Sequence, residues 1–125
     1  VAEQGGDSRE AFMSIMEDVL MANDRVDLVF SYSADGGLGS YDAIQAAGRE
    51  DEVSVIGFDA SDEEQSVINE GGCYKGSIKQ FPEKLAETAV ECVEKVLDGE
   101  TLEEDIGVEV GVYTADGIVY ADELQ

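Results

Sequence analysis

The sequence predicts an α/β domain built on a parallel sheet, and three observations carry the prediction. Short apolar runs alternate with amphipathic helices along the chain, the pattern of strands joined by helical crossovers. Helix starts are marked by serines and acids, and helix ends by glycines. The 125 residues, with 43% hydrophobic side chains, 14 Gly and one Pro, suit one globular unit able to bury roughly two-thirds of its unfolded surface.

"VAEQ" (1–4) reads as a weak first strand. In "GGDSRE" Asp7 and Glu10 stand at capping-box spacing, and Ala11, Phe12, Ile15, Met16, Val19 and Leu20 then recur on one helical face. "VDLVFSY" (26–32) is the second strand. "DGGLGSYDAIQAAG" carries the next helix, with Ala43, Ile44 and Ala47 inward and Gly48 as its C-terminal cap. "VSVIGF" (53–58) is the third strand. Ser61 and Glu64 repeat the capping box, Val67 and Ile68 supply a core face, and Gly71 ends that helix. "CYKGSIKQ" (73–80) makes a fourth strand interrupted at Gly76. Pro82 opens a helix whose stripe is Leu85, Ala86, Ala89, Val90, Val93 and Leu97, closed by Gly99. "TLEEDIGVEVGVYT" (101–114) is extended, and "GIVYADELQ" (117–125) reads as a tail.

The charge balance removes several function classes. Thirty acids against 7 bases give a net charge of −23, a field that repels phosphate backbones and anionic lipid, so nucleic acid is not an expected partner. With no His and only Cys73 and Cys92, a Cys/His zinc site and any Ser/His or Cys/His catalytic pair are excluded. The two thiols read as reduced and buried, Cys92 lying on the last apolar stripe. Abundant paired carboxylates point to no enzyme, since 30 acids make chance pairs certain. No cofactor motif is present. Gly36, Gly37 and Gly39 lack the spacing and the Lys of a phosphate loop.

In open α/β sheets ligands bind at the carboxyl ends of strands. Five residues fall on that edge from sequence order alone: Arg9 after the first strand, Ser33 and Asp35 after the second, Asp59 after the third and Gln80 after the fourth. A guanidinium, carboxylates, a hydroxyl and an amide offer both donors and acceptors, which suits a polyhydroxylated small molecule. Each also has a local reading. Arg9 offsets neighbouring acids, Asp59 and Asp35 cap helices, Gln80 ties its loop, and Ser33 makes a turn.

"DLVFSYSADGGLGSYDAIQAAG", the stretch from "VSVIGFDASDEEQ" to "KVLDGE", and "GVEVGVYT" together resemble the C-terminal lobe of type I periplasmic binding proteins, the sugar receptors of ABC importers, of the ribose-binding type. The resemblance covers nearly the whole chain. Its most specific parts are the strand ending "GFD", the "G-x-x-x-x-S-I-x-Q-x-P" stretch and the helix running to "LDGE". It implies a three-layer, flavodoxin-like lobe over residues 1–125, ligand contacts at Arg9, Asp59 and Gln80, no catalysis, an extracytoplasmic location and a membrane permease as partner. Where ribose-type receptors place Asn-Asp after the second strand, this chain has Ser33-Ala34 with Asp35 one place later. Another pentose or hexose, a polyol and a furanosyl autoinducer therefore all stay open.

The resemblance also implies a second, N-terminal lobe, and a strand–helix unit before "VAEQ" that lies centrally in the sheet. Without that unit the 26–32 strand has an unpaired edge, from which dimerisation or segment exchange is expected. An alternative is the effector-binding domain of a lactose-repressor-type regulator. Those proteins carry "P-x-L-T-T" where this chain has "GGCYKGSIKQ".

Overall fold

The computed structural model describes residues 3–120. The helices among them are α1 (Arg9–Ala22), α2 (Ala34–Ala47), α3 (Asp62–Glu70) and α4 (Pro82–Leu97), and the strands are β1 (Leu28–Phe30), β2 (Ser54–Phe58), β3 (Tyr74–Gln80), β4 (Val110–Thr114) and β5 (Gly117–Tyr120). They form one sheet in the order β1-β2-β3-β4-β5. The α/β class is as expected, but the sheet is mixed. β1, β2 and β3 are parallel, whereas β4 joins β3 and β5 joins β4 antiparallel.

Caps set most boundaries where the sequence put them. Ser61 and Glu64 form a complete capping box, and α2 and α3 end on left-handed Gly48 and Gly71. α1 differs: its cap is Ser8, whose Oγ accepts the Ala11 N–H at 3.3 Å, so Asp7 is outside the helix. Arg49 closes the other end of α1, donating to the carbonyls of Leu20, Asn23 and Asp24 at 3.0–3.1 Å. A cation there meets the negative end of the helix dipole.

Three other expectations are corrected. Residues 3 and 4 are not in a strand, and residues 1 and 2 of that predicted strand lie outside the described residues. β3 is not interrupted at Gly76. It passes through with a bulge, since Val55 pairs with Tyr74 and Ile56 with Gly76, leaving Lys75 over. Residues 117–120 are strand β5, and only 121–125 of the predicted tail fall outside the description.

The core lies between α1–α3 and the sheet, built from Met16, Leu20, Leu38, Tyr41, Ile44, Val53, Val55 and Ile68 with Tyr74. Gly39 lets α1 cross α2 closely, because a Cβ there would stand 2.4 Å from the Arg9 carbonyl. Gly36 and Gly37 are buried in the same helix, so the three glycines serve packing. α4 departs from this pattern. It buries no residue, and its stripe is open: Leu85 is 53% exposed, Val93 58% and Leu97 80%. It is tethered at its start, where Phe81 stacks on Tyr120 and Lys84 pairs with Glu109. Cys73 is buried, while Cys92 on α4 is only half-buried, and both thiols are free. β1 stands at the sheet edge, with Leu28 and Phe30 each 60% exposed. No helix among the described residues is long and apolar enough to cross a membrane.

Candidate functional site

The carboxyl ends of β1, β2 and β3 face the same way because the three strands are parallel. Asp59 directly follows β2 and Gln80 ends β3, and the two meet: Gln80 Nε2 donates to Asp59 Oδ1 at 3.5 Å, a long bond between exposed groups. Asp59 is not the cap of α3, a role taken by Ser61. Its carboxylate therefore has no helix N–H to satisfy and only a loose partner in Gln80.

The backbone that carries Asp59 is unusual. Asp59 (φ 92°) and Ala60 (φ 47°) are consecutive non-glycine residues on the left-handed side, a geometry costing on the order of 1–3 kcal/mol per residue. Four bonds hold it. Asp59 N–H donates to the Ile78 carbonyl at 2.8 Å and Ala60 N–H to Ser77 Oγ at 3.0 Å. The Ala60 carbonyl accepts Gln65 Nε2 at 2.7 Å, and Ser61 N–H donates to Glu64 Oε2 at 2.8 Å.

Glu64 is fully buried beneath this turn. Besides Ser61, its carboxylate accepts the hydroxyls of Tyr74 at 2.7 Å and Ser77 at 2.9 Å, both on Oε1. A buried charge is tolerated only when bonded in this way. Sequence reasoning found Glu64 as a capping residue but missed Tyr74 and Ser77, which reach it from another strand. Burial, then the Glu64 bond, raise the Tyr74 pKa above its ordinary 10.0. Folded Tyr74 thus keeps its proton where the unfolded chain releases it. The stability this contributes is full below about pH 10 and is lost as pH rises beyond it. Unfolding free energies from urea titrations between pH 8 and 11 should fall more steeply for the wild type than for Tyr74→Phe, by roughly 1.4 kcal/mol per pH unit above 10. Parallel curves would contradict this.

Arg9 opens α1 and bridges two other helices. Its Nε and Nη2 donate to the two carboxylate oxygens of Asp42 at 2.6 and 3.0 Å, and Nη1 donates to Glu63 Oε1 at 2.6 Å. The Asp42 bonds first, then Glu63, hold the guanidinium charge more firmly than usual. Glu63 is in the first turn of α3, so Arg9 is joined to the segment after Asp59 through Glu63 rather than by direct contact. Ser33 is the N-cap of α2, accepting the Gly36 N–H at 3.2 Å, and Asp35 is exposed in the same first turn. The structure thus brings Asp59 and Gln80 together, ties Arg9 to Asp42 and Glu63, and uses Ser33 and Asp35 to start a helix. Tyr32, 60% exposed just past β1 and edge-on to Phe12, is a further rim residue that the same strand-end rule could have found.

Comparison with known proteins gives a consistent picture. A family profile described as periplasmic binding protein domain matches residues 1–101. The chain is 33% identical over 91 residues to the ribose import binding protein RbsB of Escherichia coli, an alignment covering 73% of this chain and 30% of that protein. It is 37% identical over 98 residues to the D-apiose import binding protein of Actinobacillus succinogenes, covering 78% and 31%. Among solved structures, an ABC transporter solute binding protein from Agrobacterium vitis bound with α-D-tagatopyranose has the same fold, with a TM-score of 0.78 at 24% identity over 93% of this chain and 39% of that one. A Mycobacterium smegmatis protein in complex with β-D-fucofuranose gives 0.71 at 26% identity, covering 93% and 38%. The chain spans about a third of the length of the curated relatives it matches. With four-fifths of its length matched by the family profile and a sheet that superposes on solved binding proteins, the chain belongs to the periplasmic binding protein family.

Proposed function

We propose that this chain forms part of the sugar-binding component of an ABC importer, and that a small carbohydrate or polyol rests on the rim at Asp59 and Gln80 without being chemically changed. The observation that carries this reading is the Asp59 carboxylate, held clear of the helix cap at the strand end with only a loose amide partner. An acceptor and a neighbouring amide suit vicinal hydroxyls, which need both kinds of partner. Arg9 supplies charge at the rim, and its guanidinium keeps two N–H groups beyond those given to Asp42 and Glu63. Ser33 and Asp35 lie on the α2 side and Tyr32 offers a flat face. The relatives named above are import binding proteins by name, which supports a second lobe closing the site, a membrane permease as partner, an extracytoplasmic location and no catalysis. No observation favours the repressor alternative, and none supports pairing of two copies across the β1 edge.

Asp59→Asn in the full-length protein tests the reading. Loss of a charge-assisted bond should weaken sugar binding by about 1.5–3 kcal/mol, roughly 10- to 150-fold. Titration calorimetry with D-ribose, D-apiose, D-tagatose and D-fucose is the measurement. Equal affinities in wild type and variant would remove Asp59 from the site, and no heat with any of the four would remove the sugar class they represent.

A further inference from the structure

The structure assigns Glu64, Tyr74 and Ser77 a positioning role: they fix the left-handed Asp59–Ala60 turn and so set where the Asp59 carboxylate meets a ligand. This rests on the sugar-binding reading above. Ser77 Oγ has one proton, and it points to Glu64 Oε1 at 2.9 Å. Its lone pairs are thereby left facing Ala60, whose N–H they accept at 3.0 Å. The other carboxylate oxygen of Glu64 takes the Ser61 N–H at 2.8 Å. One buried carboxylate therefore grips the chain on both sides of Ala60, through Ser77 on one side and directly on the other.

Tyr74 pins the carboxylate itself. Its hydroxyl donates to Glu64 Oε1 at 2.7 Å, and its ring is 1% exposed. Space for that hydroxyl exists because residues 37 and 57 are glycine, where a Cβ would stand 2.1 and 2.0 Å from it. No buried side-chain polar atom among the described residues is left without a partner. A leucine at position 64 would fill the space more simply. What the polar arrangement adds is a fixed direction for two backbone amides, and those amides belong to the turn that carries Asp59.

The test uses the full-length protein with Ser77→Ala, Ser77→Thr, Tyr74→Phe and the double variant Ser77→Ala/Ala60→Gly. Three quantities are read: amide exchange at Ala60 and Ser61, the Kd for whichever of D-ribose, D-apiose, D-tagatose or D-fucose the wild type binds, and the melting temperature. Ser77→Ala should speed Ala60 exchange and weaken sugar binding by about tenfold each, while Ser77→Thr, which keeps the hydroxyl, returns both to within about threefold. In the double variant glycine relieves the left-handed strain, so melting recovers while affinity does not. Tyr74→Phe, which keeps Ser77, should give a smaller change in the same direction and decides the matter if a Ser77 variant fails to fold. The assignment is overturned if melting falls but Ala60 exchange and Kd stay within about twofold of wild type. If the wild type binds none of the sugars, the proposed function fails, and the exchange measurements alone still show whether the network holds the turn.

Discussion

Gly57→Ala is expected to destabilise the fold by roughly 3–5 kcal/mol, since overpacking and broken buried bonds add. The new Cβ would lie 2.0 Å from Tyr74 Oη, 2.3 Å from Glu64 Oε1 and 2.9 Å from Tyr74 Cζ. None of these atoms can retreat cheaply, because Tyr74 and Glu64 are buried and bonded to each other. Urea unfolding checks the figure. Adding Tyr74→Phe should restore part of the loss, since it removes the atom at 2.0 Å but not the ring carbon at 2.9 Å. Wild-type stability in the single variant would mean that the ring swings aside freely and that the network is not rigid.

Glu64→Leu should cost about 3–6 kcal/mol by a different route. The volume is nearly kept, but the hydroxyls of Tyr74 and Ser77 and the Ser61 N–H lose their acceptor at once. Each buried donor left unpaired costs on the order of 1–3 kcal/mol. Removing the donors as well, in Glu64→Leu/Tyr74→Phe/Ser77→Ala, should recover most of the loss, because an apolar replacement of all partners is close to neutral. The recovery should stop short of complete, since two backbone donors stay unpaired: Ala60 N–H lacks Ser77 Oγ and Ser61 N–H lacks Glu64 Oε2. Unfolding curves for the wild type and the single and triple variants give both numbers, and wild-type stability in Glu64→Leu would show that the carboxylate is dispensable in the core.

The sequence made the local features of this fold legible and left the distant ones hidden. Ser61, Glu64, Gly48, Gly71 and Pro82 mark helix ends through bonds made within a few residues, so their positions could be read directly. The antiparallel course of β4 and β5 could not, because strand direction depends on which neighbour is met in space. Gly117–Tyr120 looks like a tail until Val112 stands beside Val119. The α4 stripe was visible as amphipathic, yet periodicity does not say what a face packs against. At the rim, the strand-end rule brought Asp59 and Gln80 together correctly, since parallel strands gather their ends whatever lies between. It could not foresee that Arg9 would turn to Asp42 and Glu63, or that a tyrosine ten residues past Glu64 would share its carboxylate. Those are meetings across helices, settled by packing.

The bare hydrocarbon seam along α4 has a colloidal consequence. Copies of a chain carrying −23 are held apart by mutual repulsion, whose reach contracts from about 10 Å in 0.1 M electrolyte to about 3 Å in 1 M. Sulfate or phosphate at such strength also tightens the attraction between oily surfaces. Brine thus removes the barrier and deepens the well together, so this chain should keep its copies apart best in dilute buffer.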